Sequence, residues 1–265
     1  MGALASRPAA RHRAIFISDV HLGTAGAQAE LLADFLARND APAIYLVGDI
    51  IDFWRISSTP YWPPAHNDVV QALLRKARAG TRVVYIPGNH DEAMRRYCGS
   101  MFGGVEVVDS LIHLTATGKR LLVIHGDQFD VVVRHARWLA LMGDWAYRVA
   151  LWVSSKINFV RRRAGVHYWS LSAWLKHKVK QAVNYAGKFE EALVDAARRQ
   201  GADGVVCGHI HHADMRQIGD VLYVNTGDWV ESATALVEGL DGRLEIIDWR
   251  ARQEANMAAA LVLPP

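Results

Sequence analysis

The chain has 265 residues, a formal net charge of +3, 51% hydrophobic residues and 22% charged ones. That is enough apolar material for a buried core, with the charge content of an ordinary globular protein. The net charge is small and the basic residues are not gathered into a long stripe, so no nucleic-acid partner is expected. In chain order, residues 1–13 are rich in Ala, Arg and Pro, lack the apolar run of a secretory signal, and read as a disordered lead-in. Short β-branched apolar runs follow at Ala14–Ile17, Ala43–Val47, Arg82–Ile86, Arg120–Ile124 and Gly204–Cys207, each bounded by turn formers and so predicted to be a buried strand. Between the first three lie helical patterns. Ala27–Arg38 gathers Leu31, Leu32, Phe35 and Leu36 on one face, and Asn67–Ala79 gathers Val69, Val70, Leu73 and Leu74.

The alternation of strand and helix implies an α/β chain with parallel strands. The C-terminal part differs. Asp214–Ile218, Val221–Asn225, Thr234–Glu238 and Arg243–Asp248 are joined by short turns such as Gly219-Asp220 and Asp241-Gly242, the pattern of an antiparallel meander. Two long helical stretches, Gln128–Arg163 and His167–Arg199, interrupt the strand pattern and read as a helical cap over 128–200 inserted into a domain spanning 14–250. No apolar stretch reaches the roughly 18 residues of a membrane span. Cys98 and Cys207 form no framework and read as reduced, buried thiols of a cytoplasmic protein.

The five buried strands share one property: each ends in side chains that ligate metals. These are Asp19 and His21, Asp49, Asn89, His125, and His209 with His211. Asp-x-His and His-x-His let two side chains from one strand end enter the same cleft, and strand ends are where α/β folds build sites. Taken singly, Ser-Asp-Val-His is weak, Gly-Asp usually marks a turn, and Gly-Asn-His-Asp fits a turn with Asp91 as a helix cap. Five such segments in this order, each after an apolar strand, point together to a metal site. Carboxylate, imidazole and amide oxygen in one set suit Mn, Fe, Zn or Co better than Mg or Ca.

With these segments the sequence resembles the calcineurin-like metallophosphoesterases. The resemblance is carried by Asp19-x-His21, Gly48-Asp49, Gly88-Asn89-His90-Asp91, His125-Gly126-Asp127 and Gly208-His209-x-His211. It implies a four-layer αββα sandwich, two facing sheets flanked by helices. It also implies two divalent ions, with manganese expected. By resemblance Asp19, His21, Asp49 and His211 hold one ion, and Asp49, Asn89, His125 and His209 the other, with Asp49 shared. His90 then acts on the phosphate or the leaving oxygen, and Asp91 holds it.

Within that family the sequence is most similar to the UDP-2,3-diacylglucosamine diphosphatases of lipid A synthesis. The carriers are Ser18–Leu22, Gly48–Asp52, His125–Asp130, Gly208–His212 and Tyr223–Trp229, together with the place of the cap. The resemblance implies in-line cleavage of the pyrophosphate of an acylated nucleotide-sugar, with peripheral contact at the cytoplasmic face of the inner membrane. Members of that group usually carry Arg after the Asn and His-Arg-Pro in the last motif. This chain has His90 and His211-His212-Ala213. Two further readings therefore stand beside the first: a soluble nucleotide or phosphodiester hydrolase with the same metals, and a non-catalytic scaffold on this fold. The complete ligand set and His90 argue against the scaffold. Trp138, Leu141, Trp145 and Trp152, followed by Arg161–Arg163, fit either a helix that admits acyl chains near anionic headgroups or one packed on its partner. Lys176 and Lys180, one helical turn apart, and Asp130 are the candidate substrate contacts; solvated lysines are the competing reading.

Overall fold

The structure, a computed structural model, describes residues 10–129 and 187–262. The chain divides into two compact units, Met1–Asp127 with Val194–Pro265, and Gln128–Leu193. Of the second unit only 128–129 and 187–193 are described; the latter belong to a helix covering 187–199. Most of the expected cap, including Asp130, Lys176 and Lys180, lies outside the described residues.

The first unit is built on two sheets. Strands β1 (Ala14–Ile17), β2 (Ala43–Val47) and β3 (Arg82–Ile86) run parallel in one sheet, and β4 (Arg120–Val123), β5 (Gly204–Cys207) and β6 (Val221–Asn225) run parallel in the other. Among the described residues the first sheet has seven strands and the second five. Successive side chains of a strand point to opposite faces. Ala14, Phe16, Tyr45, Val47, Val84 and Ile86 therefore meet Leu121, Val123, Val206 and Val224 between the sheets. The alternate set, Ile15, Ile17, Ile44, Leu46, Val83 and Tyr85, joins residues of helices α1 (Ala29–Arg38) and α3 (Pro64–Arg78) in a second core. Both faces being buried explains why these strands are continuously apolar. Phe35 of α1 packs its ring 5.4 Å from Trp229 and 5.2 Å from Trp249. Each such side chain contributes roughly 1.5–3 kcal/mol on burial.

The C-terminal strands depart from a single meander. Asp214–Ile218 pairs antiparallel with β6 in the second sheet, whereas Thr234–Glu238 pairs antiparallel with both Leu244–Asp248 and β1 in the first. Two hairpins are thus divided between the sheets. The segment between Asn225 and Thr234 makes the crossing, held by Asp228, whose Oδ1 accepts from the backbone N–H groups of Val230, Glu231 and Ser232. Turn signals locate hairpins but do not say which sheet each one joins.

Three smaller expectations are also corrected. The lead-in is paired from Ala10 on: Ala10–Arg11 bridges Asn39–Asp40, and His12 N donates to Asp40 O at 2.8 Å. A helix Trp249–Val262, absent from the sequence reading, follows the last strand, with Asp248 Oδ1 accepting from Ala251 N at 2.9 Å. Cys98 is exposed after the 3-10 turn Glu92–Tyr97, and only Cys207 is buried. Among the described residues, no helix is long and apolar enough to cross a membrane.

Candidate metal centre

The ligand-bearing segments follow the C-terminal ends of β1 to β5, so the facing sheets bring them to one edge of the sandwich. There the backbone turns sharply. Among the described residues, six non-glycine residues have positive φ, and five are predicted ligands: Asp19 (51°), His21 (53°), Asp49 (53°), His209 (74°) and His211 (53°). Such conformations cost about 1–3 kcal/mol each and persist where the surroundings enforce them. Here the enforcement is visible. Asp19 N donates to Gly48 O at 3.0 Å, and the Val20 and His21 N–H groups both reach Asp49 O at 2.9 Å. Trp229 N, from the crossing loop, donates to Asp19 O at 2.9 Å.

Three groups of side chains converge. Asp19, His21 and His211 form one, His21, Asp49 and His90 a second, and Asp49, His125 and His209 a third; within each group the candidate ligand atoms lie within 4.8 Å of one another. The His211 ring nitrogen Nε2 is 3.3 Å from Asp19 Oδ1 and 3.3 Å from His21 Nε2. His125 Nε2 and His21 Nε2 are 3.5 and 3.9 Å from the same Asp49 Oδ2. Asp49 thus stands between a group from the first sheet and a group from the second. Asn89 Oδ1 is buried with no hydrogen-bond partner, and so is His125 Nε2. Unmet buried polar atoms are rare and costly. An amide oxygen and an imidazole nitrogen of this kind suit a divalent ion, so the residues present fit the metal site that the sequence implies.

The field at the site favours positive charge. Burial alone pulls the His125 imidazole down, but the Asp49 carboxylate, with Asp19 and Asp127, overrides burial and pushes it up to about 10. Burial likewise opposes ionisation of Asp49 and Asp19, yet His125 holds the first and His211 the second below the usual carboxylate range. His211 is raised in spite of burial by its bond to Asp19. His21, where burial prevails over Asp49 and Asp19, is lowered and so favours the neutral form that ligates. His125 donates Nδ1–H to Val47 O at 2.9 Å, which leaves Nε2 facing Asp49.

His90 and Asp91 part company. The carboxylate holding His90 is Asp52, whose Oδ2 lies 2.9 Å from His90 Nδ1 and 3.3 Å from His21 Nδ1. Its Oδ1 caps helix α2 (Phe53–Ser58) by accepting from Arg55 N at 2.8 Å. Asp91, expected beside His90, is fully buried and turned beneath the Asp49 loop. It accepts from Gly88 N at 2.5 Å, Ile50 N at 2.8 Å and the Tyr85 hydroxyl at 2.5 Å. Burial, then Asp49, raises its carboxyl above the usual range. The sequence reading missed Asp52. Its place at the end of Gly48–Asp52, a segment that carries the resemblance, was the signal available. Trp54 was missed too; its ring lies 4.3 Å from that of His90, and it is 45% exposed.

Glycines let the loops approach. A Cβ on Gly88 would stand 2.3 Å from Asp49 Oδ1 and 2.6 Å from His125 Nε2. Gly88→Ala is therefore expected to displace both side chains, lowering bound metal and cutting kcat/KM roughly 100-fold or more, the scale of an ångström misplacement. Metal analysis beside turnover checks this, and parent-like values for both would contradict the geometry.

With this centre in view, the comparisons with known proteins are direct. Residues 12–213 match the family model of the calcineurin-like phosphoesterases. The chain belongs to that family. It is a metal-dependent phosphoesterase, a hydrolase. A UDP-2,3-diacylglucosamine hydrolase of Xanthomonas campestris pv. campestris is 28% identical over 244 residues, covering 86% of this chain and 96% of that protein. One from Nitrosococcus oceani is 26% identical over 213 residues, covering 74% and 77%. A solved phosphoesterase from E. coli aligns over 89% of this chain and 98% of its own, at 14% identity and a TM-score of 0.43.

Proposed function

We propose that this phosphoesterase hydrolyses the pyrophosphate of UDP-2,3-diacylglucosamine or a related acylated nucleotide-sugar, using two divalent ions, with manganese as the working metal. The observation that carries the two-ion reading is Asp49. Among the described residues it is the one carboxylate common to a group containing His21 and a group containing His125 and His209. Asp19, His21, Asp49 and His211 would hold one ion, and Asp49, Asn89, His125 and His209 the other. A pair of divalent ions held by these residues would supply an acidified water and positive charge against the phosphate oxygens. The protein's share is geometric and protonic. Asp49 is fixed by the His90 N–H, which donates to its Oδ1 at 2.8 Å. His90, held through Nδ1 by Asp52, keeps Nε2 available to the substrate's phosphate or leaving oxygen.

The substrate assignment is supported by the names of the curated relatives, which this chain matches over most of their length. An acylated substrate brings peripheral contact with the cytoplasmic face of the inner membrane as part of the same proposal. His90, standing where that group usually carries Arg, favours a second reading, a soluble nucleotide or phosphodiester hydrolase. Purified protein with Mn²⁺ is to be assayed on UDP-2,3-diacylglucosamine, UDP-glucose and a simple phosphodiester. The proposal expects turnover of the lipid to exceed that of the other two. Turnover of the soluble compounds alone would establish the second reading instead.

A further inference from the structure

One cation of the chain ties together two loops that belong to different sheets. Arg95 lies in the 3-10 turn Glu92–Tyr97. Its Nη2 donates to both carboxylate oxygens of Asp127, at 2.7 and 2.9 Å, and to Pro87 O at 3.1 Å. Its Nε faces Asp109 Oδ1 at 3.3 Å. Pro87 opens the loop after β3 that carries Asn89 and His90, and Asp127 closes the segment after β4 that carries His125. The side chain of Asp127 is 8% exposed and that of Arg95 32%, so the contact is largely shielded from water. Hydrogen bonds between charged groups in such places are about twice as strong as neutral ones, and they fix geometry. Asp127 is part of the His-Gly-Asp motif, yet no metal or substrate role falls to it.

We propose that Arg95 is a positioning residue: by holding Pro87 and Asp127 together it sets the separation of Asn89 from His125. It thereby sets the affinity of the ion those two side chains share. This rests on the two-ion reading above. A guanidinium suits the task because one planar group reaches a carboxylate and a carbonyl at once, which a lysine ammonium on a flexible stem does less well.

The test strips metal from the wild type, Arg95→Met, Arg95→Lys and Asp127→Asn, then titrates Mn²⁺ while electron paramagnetic resonance distinguishes isolated ions from coupled pairs. In Arg95→Met one binding event should keep its parent affinity and the other should weaken ~10–100-fold, the range for residues that support metal ligands. The isolated-ion spectrum should match that of His125→Ala and not that of His211→Ala. kcat at limiting Mn²⁺ should fall and recover in excess metal, with KM for substrate unchanged. Arg95→Lys should recover part of the loss, and Arg95→Met combined with Asp127→Asn should be no worse than the stronger single change, since both break one contact. Unchanged binding in Arg95→Met, or equal weakening of both events, would overturn the proposal. If Arg95→Met does not fold, Arg95→Lys and Asp127→Asn decide it by the same comparison. A wild type that never forms a coupled pair would instead overturn the two-ion reading, and the proposal with it.

Discussion

Asp49→Ala is expected to abolish phosphoester hydrolysis and to lower bound metal below two ions per chain. Among the described residues, no other side chain is common to a group with His21 and a group with His125 and His209, so no other single loss among them should match it. The Asp49 side chain also receives the His90 N–H at 2.8 Å, so its removal loosens the loop that carries Asn89 as well. Metal-ion stabilisation of a phosphoryl transition state is worth several kcal/mol, and each ~1.4 kcal/mol is tenfold in rate. A fall of roughly 10³-fold or more in kcat/KM is therefore the scale expected. Asp49→Asn keeps the shape and removes the charge; it should behave almost as badly, because the neutral amide no longer offsets two cations. The measurements are elemental analysis of the dialysed variant and steady-state hydrolysis of an activated phosphodiester. Near-parent turnover in either variant would remove the two-ion mechanism. One local consequence has its own readout. The His125 imidazole, raised to about 10 chiefly by Asp49 against its burial, should drop sharply in metal-free Asp49→Ala. A histidine titration followed by NMR would show it.

The parts of the site that could be read from the sequence were those set by strand ends. An apolar run fixes a buried strand, and the polar residues directly after it must emerge at the strand's C-terminal edge. Asp19, His21, Asp49, Asn89, His125, His209 and His211 were all visible in this way, as were β1, β2 and β3 with their parallel pairing. What escaped was set by how loops turn after they leave the strand. Asp91 and Asp52 are both aspartates a few residues past a ligand. Spacing gave no means of knowing that Asp91 folds inward to Tyr85 and Gly88 while Asp52 faces the two imidazoles. Arg95 and Asp127 meet only because the two sheets face each other, a long-range fact that no local pattern encodes. The divided C-terminal hairpins escaped for the same reason. Turn residues specify a hairpin, but the packing of Trp229 against Phe35 belongs to the assembled core.

His90→Ala is the second large effect expected, and its size should depend on the leaving group. Asp52 fixes His90 and His21 through Nδ1, so in each ring the opposite nitrogen, Nε2, remains for the cleft. If His90 gives a proton to the departing oxygen, its loss matters most when that oxygen is strongly basic. General acid catalysis is worth typically 10²–10⁴-fold, so a loss of that order is expected for an ester with an alkyl leaving group. A p-nitrophenolate needs no proton to leave, and the loss there should be much smaller. A phosphoanhydride, whose leaving group is a weakly basic phosphate, should resemble the nitrophenyl ester. Asp52→Asn should reproduce part of the loss while leaving a Mn²⁺ pair bound, because a neutral amide has one oxygen where the carboxylate uses two, Oδ2 for both rings and Oδ1 for Arg55 N, and it holds the rings without charge. Rate measurements across a series of leaving groups decide the matter. An equal loss on every ester would show that His90 stabilises phosphate oxygens and is not the proton donor. No loss on any ester would remove His90, and Asp52 with it, from the chemistry.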